Sequence, residues 1–515
     1  MSALLVAAVV APAAAVLGQA LSGRGASGAA LGAGSLTAFI ASIVIGAALI
    51  DGPAIDAGML SADRLSVVLM LLISGVTSIV GLFAGRYLHG DVRRGRLLVG
   101  AGVLASATLA MATASTLLVL AAAWTVAGLA LLSLLGTYRG LPAADDGVRR
   151  TRRAFLIADS SLWAAVLIAQ ITWGGIDLRT LSADAPALTS DTTATTAVAI
   201  LLVVAAVGRS ALLPLGDWLP ATLAAPTPVS ALLHAGVVNA GGVLLVTMSP
   251  VFGASAAATA IAFTAGAATA VHATAVMLTK SDIKGALAHS TAGQMGFMVM
   301  TCGLGLYAAA IFHLVAHGMY KAALFLGSGG ALDRARRHEE APARTAGAGA
   351  GSALAAVVVP GVLVALAAGV VYGSPDQAAD SLPLLVFAWI SGSWAMWGWL
   401  GHGSSFGRVI AATGVLAVVA LGYVAGTHGM AELLAPALAG AGAATVPGLW
   451  IAAPLALMIA VSAIARGSSD GGIGARLYVL VLSAGHPRSK LRRPVLRTPA
   501  PLTPMPTTIP MGARS

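Results

Sequence analysis

Long apolar runs alternate with short charged loops along most of this chain. A hydrocarbon layer about 30 Å thick is crossed by roughly 20 helical residues. Runs of about that length fall near 2–22, 30–50, 65–87, 97–114, 116–136, 154–173, 195–213, 229–249, 254–278, 286–305, 308–329, 351–373, 382–401, 408–426 and 446–465. The pattern predicts an all-α polytopic membrane protein with about 14–15 transmembrane helices. Leu433–Thr445 is too short to span and is expected at the interface.

One stretch is punctuated differently. From Gly208 to Ala235 the chain reads GRSALLPLGDWLPATLAAPTPVSALLHA, with prolines at 214, 220, 226 and 228. Each proline removes a backbone donor and clashes with the preceding turn. Hydrocarbon supplies no replacement bonds, so a helix broken at membrane depth must be lodged in protein or beside a water-filled cavity. The stretch therefore predicts a broken helix near 214–228. Arg209, Asp217 and His234 flank or enter it. Ionisable groups in a membrane interior mark ion or substrate paths.

Composition agrees with the pattern. The chain is 58% hydrophobic and only 9% charged, against about 25% charged in an ordinary soluble domain. The net charge of +10 is carried by loops and the tail, so it reads as an orientation signal and not as a nucleic-acid surface. Loops with Arg86/Arg93/Arg94/Arg96, Arg139/Arg149/Arg150/Arg152/Arg153, Lys280/Lys284 and Arg334/Arg336/Arg337 are expected in the cytoplasm. Loops with Asp51/Asp56/Asp63, Asp177/Asp184/Asp191 and Asp376/Asp380 fall on the other side. With fifteen spans the N-terminus is expected outside the membrane and the basic, Pro-rich tail 485–515 in the cytoplasm. A cleavable signal peptide is not expected, because Met1–Leu21 lacks a basic start. The single cysteine, Cys302, excludes an intrachain disulfide and a multi-cysteine metal site. No zinc, flavin, nucleotide or iron–sulfur motif is present, and a transporter subunit without a catalytic site of its own is the expectation.

His313, His317 and Lys321 are spaced i, i+4, i+8, which places them on one helix face over about 12 Å of rise. Neighbouring Cβ atoms at that spacing are about 5–6 Å apart, so water must bridge any proton transfer between the side chains. Histidine passes protons near neutral pH through its two nitrogens. The same residues also fit two packing histidines with a snorkelling lysine, or an H-x-x-x-H metal pair that lacks a third ligand.

The Gly208–Ala235 stretch, DIKGALAHSTAGQMGFM from Asp282, AAIFHLVAHGMYKAALFLGSG from Ala309 and DRLSVVLMLL from Asp63 resemble the motifs of the antiporter-like membrane subunits. That family contains complex I subunit L, the Mrp-type antiporter subunits and the membrane subunit (DabB) of DAB-type inorganic carbon transporters. The resemblance covers roughly residues 1–330. It implies two inverted five-helix repeats, near 97–240 and 254–400. N-terminal helices 1–96 and C-terminal helices 401–484 flank this proton-channel core 97–400. It assigns the proton relay to Lys321, His317, His313, His234 and Arg209, with Asp159, Asp217 and His289 supporting. Arg209 stands where the family has a lysine, and arginine is a fixed charge where lysine can switch. An ion pair of Arg209 with Asp159 or Asp217 is the competing reading. His289 replaces a family tyrosine.

Two departures separate the branches. Trp124 is followed by Thr125 where pump-type members carry glutamate, so the carboxylate partner of the first-half relay is expected to be missing. The spans from Leu382 onward hold no lysine or glutamate before His402. A partial relay resembles the DAB-type subunit. The resemblance then implies a large soluble zinc partner (DabA-like), with the zinc held by that partner, and proton-driven accumulation of carbon dioxide or bicarbonate. The alternatives are a subunit of a respiratory NADH or hydrogenase complex, an Mrp-type antiporter subunit, or a scaffold that has lost transport.

Overall fold

The computed structural model describes residues 1–50, 52–330, 350–374, 378–400, 406–442, 447–452, 454, 456 and 473–485. Helix follows helix: α1 (Ser2–Leu21), α2 (Gly28–Ala48), α3 (Arg64–Tyr87), α4 (Arg94–Ala112), α5 (Leu117–Leu135), α6 (Pro142–Trp173), α7 (Leu181–Leu188) and α8 (Thr192–Arg209). Then come α9 (Thr227–Ala235), α10 (Ala240–Thr247), α11 (Ser249–Phe252), α12 (Ala256–Leu278), α13 (Ile283–Gly303) and α14 (Tyr307–Leu326). The chain continues through α15 (Ala350–Tyr372), α16 (Leu382–Leu400), α17 (Phe406–Leu434) and α18 (Ile473–Ala484). Twelve helical segments among the described residues are long and apolar enough to cross a membrane; α9 and α10 together form one of them. Helices α13 and α16 have span length but are not among the twelve. The predicted span 446–465, Arg334/Arg336/Arg337, His402 and the tail from 486 lie mostly or wholly outside the described residues.

Polar residues set the helix starts. Asp63, Thr116, Asp191 and Asp282 each accept a backbone N–H of the first turn of α3, α5, α8 and α13. This satisfies donors that a helix end leaves free. Asp282 is thereby the N-terminal cap of α13. The only sheet among the described residues is a hairpin, β1 (Ile55–Ala57) paired antiparallel with β2 (Leu60–Ala62). Its Ser61 N–H donates to the Thr113 carbonyl at the end of α4.

The α9–α10 span sits at the centre, almost wholly buried. Helices α3, α8, α13 and α14 pack around it, and α15, α16 and α17 form a separate cluster against α14. Small residues allow the closest approaches: a β-carbon at Gly318 of α14 would lie 2.9 Å from the Ala235 carbonyl of α9.

The broken region begins slightly before the prolines. Helix α8 ends at Arg209, and Ala211 takes a left-handed backbone with φ of 56°. The Leu213–Pro214 bond is cis. Pro220 lies in a 3-10 turn (Gly216–Thr222), and Pro226 and Pro228 open α9. Protein groups replace the lost ladder bonds. Leu213 N–H donates to Thr269 Oγ1 at 2.9 Å, and Trp218 Nε1 donates to the Gly208 carbonyl at 3.0 Å. A second interruption, at Gly236–Asn239 between α9 and α10, contains no proline. Ser210 Oγ ties the two breaks together by donating to the Val238 carbonyl at 2.6 Å.

Candidate functional site

Two polar groups lie inside the bundle. The first is built on α5, α6 and α8. Arg209 is 1% exposed and donates from Nη2 to Asp159 Oδ1 at 2.7 Å and to the Trp124 carbonyl at 3.1 Å. Its guanidinium stacks between the Trp124 ring at 4.4 Å and the Phe155 ring at 4.1 Å. Trp124 Nε1 also donates to Asp159 Oδ1, at 2.7 Å. Gly128 leaves room for the guanidinium, since any side chain there would collide with it. Two flat rings and two oxygens meet the planar fork of arginine, while its buried Nε has no hydrogen-bond partner.

The geometry decides between the two candidate carboxylates. Asp159 is the partner of Arg209, whereas Asp217 is 71% exposed and pairs with Arg150 at 3.1 Å. Asp217 is therefore remote from the buried charge, contrary to its expected supporting role beside Arg209. Thr125 does not leave the first half without a carboxylate either, because Asp159 reaches the cation from the next helix. The Thr125 hydroxyl instead accepts from Trp163 Nε1 at 3.0 Å and donates to the Ala121 carbonyl at 2.9 Å. Gly128 had no signal in the sequence beyond being a small residue one turn after Trp124.

The second group is built on α9, α13 and α14. His234 is buried, stacks on the Phe325 ring at 4.4 Å and leaves Nδ1 without a partner. Lys321 is 1% exposed, and its Nζ has one long contact, 3.4 Å to the Leu287 carbonyl. One turn earlier on α14, His317 is buried with Nε2 unpartnered; one turn before that, His313 also has Nε2 unpartnered. The two imidazole centroids are 5.8 Å apart. His289 on α13 adds a further buried, unpartnered Nε2. Asn239 lies in the break after α9. It donates to the Ala235 carbonyl at 2.8 Å and keeps Oδ1 unpartnered.

Buried polar atoms are rarely left unpaired. Those of His234, His317, His313 and Asn239, on α9, α14 and the break after α9, mark places for water. A cavity of about 390 Å³ borders His313 and is lined in part by Gln294, Thr274 and Tyr423. A smaller one of about 50 Å³ borders Asn239, Thr77 and Thr108. The larger one, with polar groups on its wall, exceeds the roughly 10–15 Å³ that one water needs, whereas the smaller is lined mainly by apolar side chains. Among the described residues no cluster of three or more His, Cys, Asp or Glu could hold a metal ion.

Residues 114–367 match the family described as NADH:quinone oxidoreductase/Mrp antiporter, TM. The chain is 35% identical over 347 residues to the probable inorganic carbon transporter subunit DabB1 of Halothiobacillus neapolitanus, an alignment covering 64% of this chain and 62% of that one. It is 34% identical over 288 residues to NADH-quinone oxidoreductase subunit L of Mycobacterium tuberculosis, covering 55% of this chain and 45% of the relative. The chain thus spans between about half and two thirds of the length of these relatives. Among solved structures, the Mrp complex from Dietzia sp. superposes with a TM-score of 0.63 at 23% identity, over 94% of this chain and 59% of that one. An archaeal membrane-bound sulfane sulfur reductase gives 0.55 at 17% identity, over 94% and 96%. These structural likenesses bear on the fold, and the family match covers the segment that carries Arg209, His234 and Lys321. Over residues 114–367, just under half of its length, the chain is similar to the NADH:quinone oxidoreductase/Mrp antiporter family of membrane subunits.

Proposed function

We propose that this chain is the proton-conducting membrane subunit of a larger complex, and that protons pass through the group His234, Lys321, His317 and His313. The observation that carries the reading is the row of buried imidazoles with unpartnered nitrogens beside a buried lysine on α9 and α14. The 5.8 Å ring separation is too long for direct transfer, so water in the adjoining cavities bridges the steps. Arg209, held by Asp159, is a fixed positive charge near the first break and not a carrier. His289 extends the group from α13.

We propose further that the proton flow drives accumulation of inorganic carbon with a soluble zinc-bearing partner of the DabA type, in a bacterial inner membrane with the C-terminus in the cytoplasm. The similarity to DabB1 supports this reading. A second reading, a subunit of a respiratory NADH-quinone oxidoreductase or an Mrp-type antiporter, is supported by the 34% identity to subunit L.

Growth of a carbonic-anhydrase-deficient bacterium in ambient air separates the two. The chain would be expressed with and without the product of its neighbouring gene. Rescue that needs both and collapses with an uncoupler is the expected result. Absence of rescue from an assembled pair, with recovery of sodium tolerance in an antiporter-deficient strain, would replace the carbon reading by the second one.

A further inference from the structure

We infer that the turn between α3 and α4 holds the phosphate of one anionic phospholipid, whose acyl chains lie along the outward face of α3. Four arginines flank or enter this turn: Arg86, Arg93, Arg94 and Arg96. Among the described residues none of them has a carboxylate within ion-pair distance, whereas at the same end of the bundle Arg149 pairs with Asp146, and Arg150 with Asp146 and Asp217. The carboxylate of the turn itself is taken. Asp91 accepts from the Arg93 backbone N–H at 2.7 Å on Oδ1 and from the Tyr138 hydroxyl on Oδ2. The Arg93 guanidinium lies over the Tyr138 ring, 5.0 Å from its centroid. Arg94 has the sharpest deficit: its Nε is sealed from water without an acceptor, and its side chain donates no hydrogen bond among the described residues. Buried nitrogens rarely go unpaired. An acceptor for this guanidinium has to arrive from outside, at its Nη edge.

Charge complementarity selects an anion, and the arginine fork matches the oxygens of a phosphate. The neighbouring surface selects a lipid over a soluble anion. Ile79, Leu82 and Arg86 are spaced i, i+3, i+7, so they share one face of α3 over about 10 Å of rise. All three are exposed. Phe83 and Tyr87 stack beside them with ring centroids 5.5 Å apart, and Tyr87 is exposed where the helix leaves the apolar layer. Aromatic rings favour that depth, level with the headgroups. The face thus runs from apolar side chains through an aromatic pair to unpaired cations, in the order chain, ester region and phosphate of a phospholipid. A free phosphate or an acidic soluble protein has no use for Ile79 and Leu82. Basic pockets at helix ends on the cytoplasmic side of a membrane hold anionic headgroups in this way. The inference stands independently of whether the chain conducts protons and of which substrate its complex moves.

The test counts retained lipid. The full chain is released from nanodiscs of phosphatidylethanolamine with a minor share of phosphatidylglycerol, and native mass spectrometry records what stays bound. The expected result is one phosphatidylglycerol kept, several-fold above its share of the bilayer. Retention in proportion to the bilayer composition would overturn the proposal. Arg94→Gln combined with Arg96→Gln should lower retention several-fold. Arg152→Gln combined with Arg153→Gln removes the same charge from exposed arginines of α6 and should leave it unchanged. Equal losses from the two pairs would reduce the effect to diffuse attraction by a basic surface and overturn the proposal. A second measurement uses the unaltered chain alone, so it does not depend on a variant folding. Phosphatidylglycerol should raise the melting temperature of the chain in detergent, and inorganic phosphate should not. An equal rise with inorganic phosphate would assign the site to a free anion and overturn the lipid reading.

Discussion

A single methyl group at Gly128 is predicted to dislodge the buried cation. A β-carbon there would stand 2.7 Å from Nη1, 3.1 Å from Nη2 and 3.3 Å from Cζ of Arg209. The end of a long side chain usually yields to such a contact. This guanidinium is held between the Trp124 and Phe155 rings and tied by Nη2 to Asp159 and the Trp124 carbonyl. Overpacking a filled interior costs about 1–3 kcal/mol, and breaking a buried ion pair roughly 3–5 kcal/mol. Because Asp159 keeps 22% of its side chain exposed, separation of the pair leaves one charge partly solvated, which favours the low end: about 2–3 kcal/mol for Gly128→Ala. Equilibrium denaturation in mixed micelles, followed by tryptophan fluorescence, measures it. The decisive comparison is a cycle of Gly128→Ala, Asp159→Asn and the double variant. If the methyl acts through the ion pair, the double variant loses less than the sum of the singles by about 1–2 kcal/mol, a usual coupling for groups in one network. Additive losses, or a Gly128→Ala protein as stable as its parent, would refute the argument.

Three more outcomes are expected. Lys321→Ala and His317→Ala should each abolish proton flux into proteoliposomes while the proteins still insert into membranes; full flux from both variants would remove the relay. Gly318→Leu should disturb the α9–α14 contact, where even a β-carbon would lie 2.9 Å from the Ala235 carbonyl. It should therefore lower flux as severely, although it removes no titratable group; unchanged flux would show that the α9–α14 spacing does not matter. In the turn before α4, the Tyr138 hydroxyl and then the Arg93 backbone N–H hold the Asp91 carboxyl below its ordinary value. A lowered carboxyl stabilises the fold above its unfolded pKa of about 3.9, and that contribution fades as pH falls through the lower folded value. Tyr138→Phe should raise the Asp91 titration, as read by carboxyl NMR, and remove part of that stability at neutral pH; an unmoved titration would discount the bond.

Much of the bundle was legible because helices in hydrocarbon obey a length rule, and the i, i+4, i+8 spacing of His313, His317 and Lys321 needs only α14 to be a helix. The partner of Arg209 was not legible: Asp159 and Asp217 lie 50 residues before it and eight after, and only packing shows that α6 brings the first to the guanidinium while Arg150 holds the second. The Thr125 gap was read along one helix, yet the carboxylate comes from a neighbouring one. Prolines announced the first interruption and placed it a few residues late, since the helix already stops at Ser210. The second, at Gly236–Asn239, has no proline, and its Gly-Val-Val-Asn sequence gives little sign that Asn239 takes over the Ala235 carbonyl.

Helix α6 is 32 residues long, about 48 Å, against a hydrocarbon layer of about 30 Å. Its first three turns stand clear of the apolar layer, with Arg150 gripping Asp217 on the segment between α8 and α9. Nine residues further along the same rod, Asp159 grips Arg209. The rod is therefore a lever with one handle in water and one in the membrane. Any protein that pushes the aqueous end sideways would move the carboxylate against the guanidinium, without touching either.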